Sequence, residues 1–133
     1  MEPPPTRLPA FMTVLGLSVE RADAEATLVR MAVPEFLLSP FGAVQGGAIA
    51  ALFDVALAIA IARRLTPSDR IATHNLNVTF VAFTSERTLD CRARVVSLRR
   101  SVAVAEGEIL SAEGVLVAKA LGTFGVRRLG GGE

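Results

Sequence analysis

Residues 48–62, Ala-Ile-Ala-Ala-Leu-Phe-Asp-Val-Ala-Leu-Ala-Ile-Ala-Ile-Ala, are apolar at fourteen of fifteen positions, and the exception is Asp54. Alanine and leucine favour helix and nothing inside the run breaks one. The segment is therefore expected to be a helix apolar on nearly every face, buried, and carrying Asp54 inward with it. A buried carboxylate needs a partner because desolvating its charge is costly, and such groups concentrate at functional sites. Just before the run stand Gln45, Gly46 and Gly47. A helix start offers unpaired N–H groups and the positive end of the helix dipole, and glycine lets a ligand approach them closely. Gly46 and Gly47 thus form a candidate seat for an anion or a developing oxyanion. Plainer roles exist for the same residues: packing of the glycines against a sheet, and a buried ion pair between Asp54 and Arg92 or Arg94.

Spacing decides how the two halves could cooperate. Asp54 follows Gly46 by eight residues, roughly 12 Å along a helix at about 1.5 Å per residue, too far for one helix to offer both groups to one reacting atom. Two antiparallel copies of the helix about a two-fold axis would bring each Asp54 to the other's amino terminus and create two identical sites. A homodimer is therefore expected, and with it cover for the helix face that a sheet leaves bare.

The elements that must position this helix follow from the rest of the chain. Residues 20–33 alternate apolar and polar with a period near two and are read as strand one. Pro34 and Ser39-Pro40-Phe41-Gly42 punctuate a loop into the helix, which Arg63, Arg64 and Pro67 end. Residues 71–83, 89–98, 102–110 and 115–126 are four strand-like runs rich in Val, Thr, Leu and Phe, joined by short links that imply three successive hairpins. The expected class is α+β: a curved antiparallel sheet wrapped around one long helix. A single domain is expected over 11–128, after a proline-rich disordered lead-in at 1–10 and before a flexible glycine tail at 129–133.

Composition excludes several functions. The 133 residues carry 14 Lys and Arg against 13 Asp and Glu, net +1, with no Trp or Tyr, which leaves neither the basic field nor the stacking platforms expected of a nucleic-acid binder. Cys91 is the only cysteine, so no internal disulfide forms and a cytoplasmic setting is expected. The apolar run is too short for a bilayer and carries an acid, so no membrane span is expected. His74, the one histidine, alternates to the opposite face from Thr73 and has no cluster of ligands around it, so neither a base nor a metal site is expected there.

The line Gly42-Ala-Val-Gln-Gly-Gly-Ala-Ile-Ala-Ala-Leu-Phe-Asp54, the strand Thr73-His-Asn-Leu-Asn-Val-Thr-Phe80 and the closing Gly114-Val-Leu-Val-Ala-Lys-Ala-Leu-Gly-Thr-Phe124 resemble the PaaI-like group of hotdog-fold acyl-CoA thioesterases. The likeness runs from about Phe11 to Arg127. It implies hydrolysis of an acyl-CoA thioester with no cofactor beyond the coenzyme A of the substrate, in a homodimer or a tetramer built as a dimer of dimers. It implies that Gly46 holds the thioester carbonyl, that Asp54 of the neighbouring subunit is nucleophile or base for water, and that Thr73 positions the water or the acid. Gln45 stands where the family usually has histidine; it can donate to a carbonyl but cannot take up a proton. Ser39 stands where many members have Asn or Gln toward the substrate, and Gly47 adjoins Gly46. Arg99 and Arg100, or Arg63 and Arg64, are candidates for the coenzyme A phosphates. The acyl pocket is expected to depend on Phe53, Leu57, Val78 and Phe80. Two other functions fit the resemblance: a non-catalytic acyl-CoA binding module, given Gln45 and Ser39, and a hotdog dehydratase or hydratase, which needs a histidine beside the acid.

Overall fold

The computed structural model describes residues 9–129. In chain order they form helix α1 (Ala10–Val14), strands β1 (Leu17–Ala22) and β2 (Thr27–Ala32), a 3-10 turn at Glu35–Leu37, helix α2 (Gly46–Ala62), and strands β3 (Arg70–Phe80), β4 (Thr88–Leu98), β5 (Val102–Ser111) and β6 (Leu116–Arg127). Of the lead-in expected at 1–10, residues 1–8 lie outside the described residues and Ala10 opens α1; of the tail at 129–133, only Leu129 is described.

All strand pairs are antiparallel, in the order β1-β2-β4-β5-β6-β3. The sheet wraps the long helix in the hotdog arrangement. Two sequence expectations change. The strand read over 20–33 is a hairpin, because Asp23 breaks it: its Oδ1 accepts the N–H groups of Glu25 and Ala26 at 2.9 Å each, and Asp23 N–H donates to Ala26 O at 3.0 Å. Asp closes such turns with its own side chain and needs no glycine to do so. The four-strand meander is the second change. Only β4-β5-β6 is continuous, and β3 pairs with β6 at the far edge. The link at 81–87 does not turn back on β3. It crosses the end of the sheet, where Val81 and Ala82 donate to Val117 O, and reaches β2, where Val33 and Arg87 pair through N–H to O at 2.8 Å. This places strands on both flanks of α2, as a helix without a polar face requires.

Leu52, Phe53, Leu57 and Ile61 of α2 are fully buried against Val29, Met31, Leu89, Cys91, Ile109, Val117 and Phe124 from the sheet. Burial of each large side chain contributes about 1.5–3 kcal/mol. It also pushes the Cys91 thiol well above its ordinary range, so the sulfur is an inert packing atom. The helix seats this deeply because β6 has a glycine beneath it: a Cβ on Gly122 would lie 2.9 Å from Leu57 Cδ1 and 2.9 Å from Phe124 Cε1.

Both neighbours of Gly122 are fully buried and cannot swing away, so Gly122→Ala is expected to destabilise the fold by about 1–3 kcal/mol, read as a lowered denaturant midpoint. The Asp23 turn gives a pH prediction. The Arg21 guanidinium, 2.6 Å from Asp23 Oδ2, together with the two turn N–H groups, holds the Asp23 carboxyl at about 2, below its ordinary 3.8. A depressed acid supports the folded hairpin fully above its unfolded value and loses that support as pH falls through the folded one. The Asp23 carboxyl should titrate near 2 by NMR, with the amide shifts of Glu25 and Ala26 moving on the same curve; a midpoint near 4 would remove the turn's role.

Candidate active site

The amino terminus of α2 is presented by a braced loop. Ser39 Oγ accepts the N–H groups of Phe41 (3.2 Å) and Ala43 (3.3 Å), Ser39 N–H donates to Ala43 O (2.6 Å), and Gly42 takes the positive φ of 81° that the turn needs. Val44 then donates to Thr84 O (2.9 Å) and Gln45 N–H to Leu37 O (2.9 Å). Gln45 is the extended residue capping α2 (φ −61°, ψ 139°), yet its exposed side chain makes no capping bond. Ser39 therefore orders the loop that delivers Gly46. The N–H groups of Gly46 and Gly47 find no acceptor among the described residues. Open space surrounds Gly47, and the Phe80 ring stands 3.4 Å from where a Gly46 Cβ would be, giving the free N–H groups an apolar wall.

Asp54 is only half-buried in the protomer. The sheet leaves one face of α2 bare, as expected of a helix apolar all round: a stripe made by Gly47, Ala50, Ala51, Asp54, Val55, Ala58 and Ile59, and Asp54 lies on it rather than in the core. Thr73 Oγ1 of β3 donates to Asp54 Oδ1 at 2.7 Å. That bond fixes the carboxylate and leaves Oδ2 without a partner among the described residues. Arg92 and Arg94 do not reach it: both point outward on β4, where Arg94 pairs with Glu106. Among the described residues Asp54 has no ion pair.

The β3–β6 register shifts between Thr73 and Asn75, so His74 is the extra residue of a β-bulge. A bulge re-aims side chains, and here Thr73 turns to the helix while the imidazole packs over Gly125 on the outer face. His74 is thus across the strand from the acid, which removes the arrangement a dehydratase needs. Arg99 and Arg100 lie in the β4–β5 turn, where their carbonyls accept bonds from Arg128. The register carries this turn to the Arg70 end of β3, whereas the chain's own Gly46 sits at the Phe80 end. Phe53 and Leu57 belong to the sealed core, and the exposed aromatics near the helix start include Phe80 (54%), Phe36 (66%), Phe41 (95%) and Phe83 (99%). Phe41 and Phe83 were not singled out, because only the Val44–Thr84 bond, remote in sequence, brings their loops together.

Among the described residues no group of three or more His, Cys, Asp or Glu could hold a metal, and no helix is long and apolar enough to cross a membrane. Two hollows, of about 440 and 420 Å³, open on the outer side of the sheet and are lined by neither Asp54 nor Gly46.

The sequence has no match among curated proteins. Residues 41–118, more than half the chain, match the thioesterase superfamily. Among solved structures, the fold matches AziG of S. sahachiroi with a TM-score of 0.86, 26% identity and coverage of 92% of this chain and 100% of that one. A phenylacetic acid degradation-related protein of Ralstonia eutropha matches with a TM-score of 0.84, 30% identity and coverage of 90% and 92%. TT0310 protein of Thermus thermophilus matches with a TM-score of 0.80, 30% identity and coverage of 92% and 100%. With the helix-borne acid, the glycine helix start and the wrapped sheet already in place, these likenesses mean that the chain belongs to the PaaI-like group of the thioesterase superfamily, a family of thioester hydrolases.

Proposed function

We propose that the protein hydrolyses acyl-CoA thioesters at a site shared between two copies of the chain. The observation that carries this reading is the Thr73–Asp54 bond, which orients a carboxylate free of any cation while its second oxygen stays open. In the reaction, Oδ2 of Asp54 takes a proton from water as the water oxygen attacks the thioester carbonyl carbon. The carbonyl oxygen, now an anion, receives the N–H of Gly46 from the other subunit, with the Gly47 amide and the Gln45 side chain beside it. The C–S bond then breaks, the sulfur leaves as a thiolate that is reprotonated, and the free acid departs.

The requirement for a second copy is supported by two surfaces. The half-bare stripe on α2 carries Gly47, Ala50, Ala51 and Ala58 around Asp54, so a second helix can approach closely there, and an antiparallel partner centred near Ala50 would meet Asp54 with its own Gly46. Strand β3 is also an open edge of eleven residues, a ready template for pairing with another β3. In such a dimer the Arg99–Arg100 turn of one chain comes to the side of the partner's Gly46, which suits it to the coenzyme A phosphates. The exposed Phe41, Phe80 and Phe83 would wall the acyl group. The same surfaces leave room for a tetramer of two such dimers in the cytoplasm.

Asp54→Asn should lower kcat for acyl-CoA hydrolysis by about 10²–10⁴-fold with KM little changed, measured as thiol release across an acyl-CoA panel. No loss of rate would reject the acid's role, and binding of acyl-CoA without turnover by the native chain would identify a binding module. The shared site has its own test. Gly46 is the first residue of α2 and follows an extended residue, a position proline accepts, so Gly46→Pro removes the N–H with the helix kept. It should cost about 10²–10³-fold in kcat. A heterodimer of Gly46→Pro and Asp54→Asn chains, isolated by two tags, has one intact site and should regain about half the native rate. Failure to regain activity would place both groups in one chain.

A further inference from the structure

The outer face of the sheet is charged in an ordered way. Arg30 is held by Asp90 through a two-pronged bond (2.7 and 3.1 Å), Arg94 pairs with Glu106, and Arg92, Glu108 and Lys119 alternate in sign across β4, β5 and β6. One position breaks the rule. Arg70 and Arg127 stand directly opposite each other in the β3–β6 register, a like-charge pair that destabilises a sheet when nothing lies between.

These two arginines border the hollow of about 420 Å³ on this face. Its floor is the cross-strand pair Ala72 and Gly125, both too small to fill it, and its far side is the His74 imidazole. A Cβ on Gly125 would lie 2.5 Å from His74 Cε1 and Nε2, so the glycine is what allows the ring to lie there. Ser101 enters from the β4–β5 turn, fixed by Val126 N–H donating to its carbonyl at 2.9 Å. Arg70 is held in advance, because its Nη1 donates to the carbonyls of Pro67 (3.3 Å), Ser68 (2.9 Å) and Asp69 (3.2 Å) while Nε and Nη2 stay open. The Arg127 guanidinium, the imidazole and the Ser101 hydroxyl have no hydrogen-bond partner among the described residues. No carboxylate lines the hollow, and the oxygens of neighbouring Asp69 receive the N–H groups of Thr66 and Leu129.

The geometry points to a binding site for a phosphate group, held by the guanidinium forks of Arg70 and Arg127, which border the hollow from neighbouring strands, with His74 and Ser101 as further donors. Planar forks match phosphate oxygens, and a dianion between two like charges turns a repulsion into two attractions. The phosphate comes either free or as the ribose phosphate of coenzyme A. Only the second source rests on the acyl-CoA reading, and the site is on the reverse face of β3 from the Thr73–Asp54 bond.

Calorimetry on the full chain at low ionic strength tests it, with inorganic phosphate, coenzyme A and dephospho-CoA, which lacks the ribose phosphate, as probes. Inorganic phosphate should bind the native protein, and Arg127→Ala should weaken that binding by about tenfold or more, since it removes one charged fork. Arg92→Ala, on the same face but outside the phosphate site, should leave it unchanged. Gly125→Ala, which displaces the imidazole, should weaken it to a smaller degree and serves if Arg127→Ala does not fold. Should coenzyme A bind about tenfold tighter than dephospho-CoA in the native chain and equally in Arg127→Ala, the phosphate is that of the nucleotide. Equal binding of the two with loss of inorganic phosphate in the variant assigns a free phosphate. Absence of phosphate binding by the native protein, or the same loss from Arg92→Ala as from Arg127→Ala, overturns the proposal. Because the inorganic phosphate measurement needs no turnover, it stands or falls apart from thioester hydrolysis.

Discussion

A carboxylate on a helix with no other polar side chain must be held from outside that helix, and Thr73 is the residue that holds it. Its hydroxyl bonds Asp54 at 2.7 Å, and much of the topology can be read as what puts a threonine there. The strand carrying it has to flank the helix on the side away from β2, so β3 lies beyond β6 and the 81–87 link travels across the end of the sheet. The bulge at His74 then turns Thr73 to the helix. A neutral donor orients the acid without quenching its charge, which an arginine in the same place would do.

The helix amino terminus and the acid were legible in the sequence because both are local. Gln45-Gly46-Gly47 ahead of an apolar run marks a helix start, and Asp54 is conspicuous as the one charge in that run. What escaped depends on contacts remote along the chain. Residues 20–33 keep one alternating pattern through the Asp23 turn, since an aspartate closes a turn with its own oxygens and leaves no glycine or proline as a mark. The 81–87 link is short enough for a hairpin, and only its bonds to Val117 and Val33 reveal that it crosses the sheet. How Phe53 and Leu57 pack was not legible, because helical periodicity cannot say which side of an all-apolar helix meets the sheet; Gly122 settles it by letting Leu57 sink toward β6.

The incomplete cover of α2 follows from the same arrangement. A sheet curved enough to bury Leu52, Phe53, Leu57 and Ile61 cannot also close over Ala51, Asp54, Val55 and Ala58 on the opposite side. The residues left there are mostly small, so the loss of apolar burial in one protomer is modest, while a helix from a second chain could come near enough for backbone donors to reach the acid. Stability and chemistry thus meet on one stripe: large side chains are spent on the fold, and small ones surround the carboxylate.

The two faces of β3 are linked by the inserted residue. Without the bulge, strict alternation from Thr73 would carry every later side chain of β3 to the opposite face, and Leu76 and Val78, which pack against the core, would turn outward. The insertion therefore restores the apolar register after Thr73 has been spent on Asp54, at the cost of one residue that needs somewhere to go. Gly125 supplies that place on the outer face, and the imidazole lying on it closes the far side of the hollow that Arg70 and Arg127 border. A charge-paired sheet surface has no need of such a hollow, and filling Gly125 with any side chain would both remove it and push on the strand that holds the acid. The requirement for glycine at 125 thus arises from one face of the strand, while its consequences extend to the other.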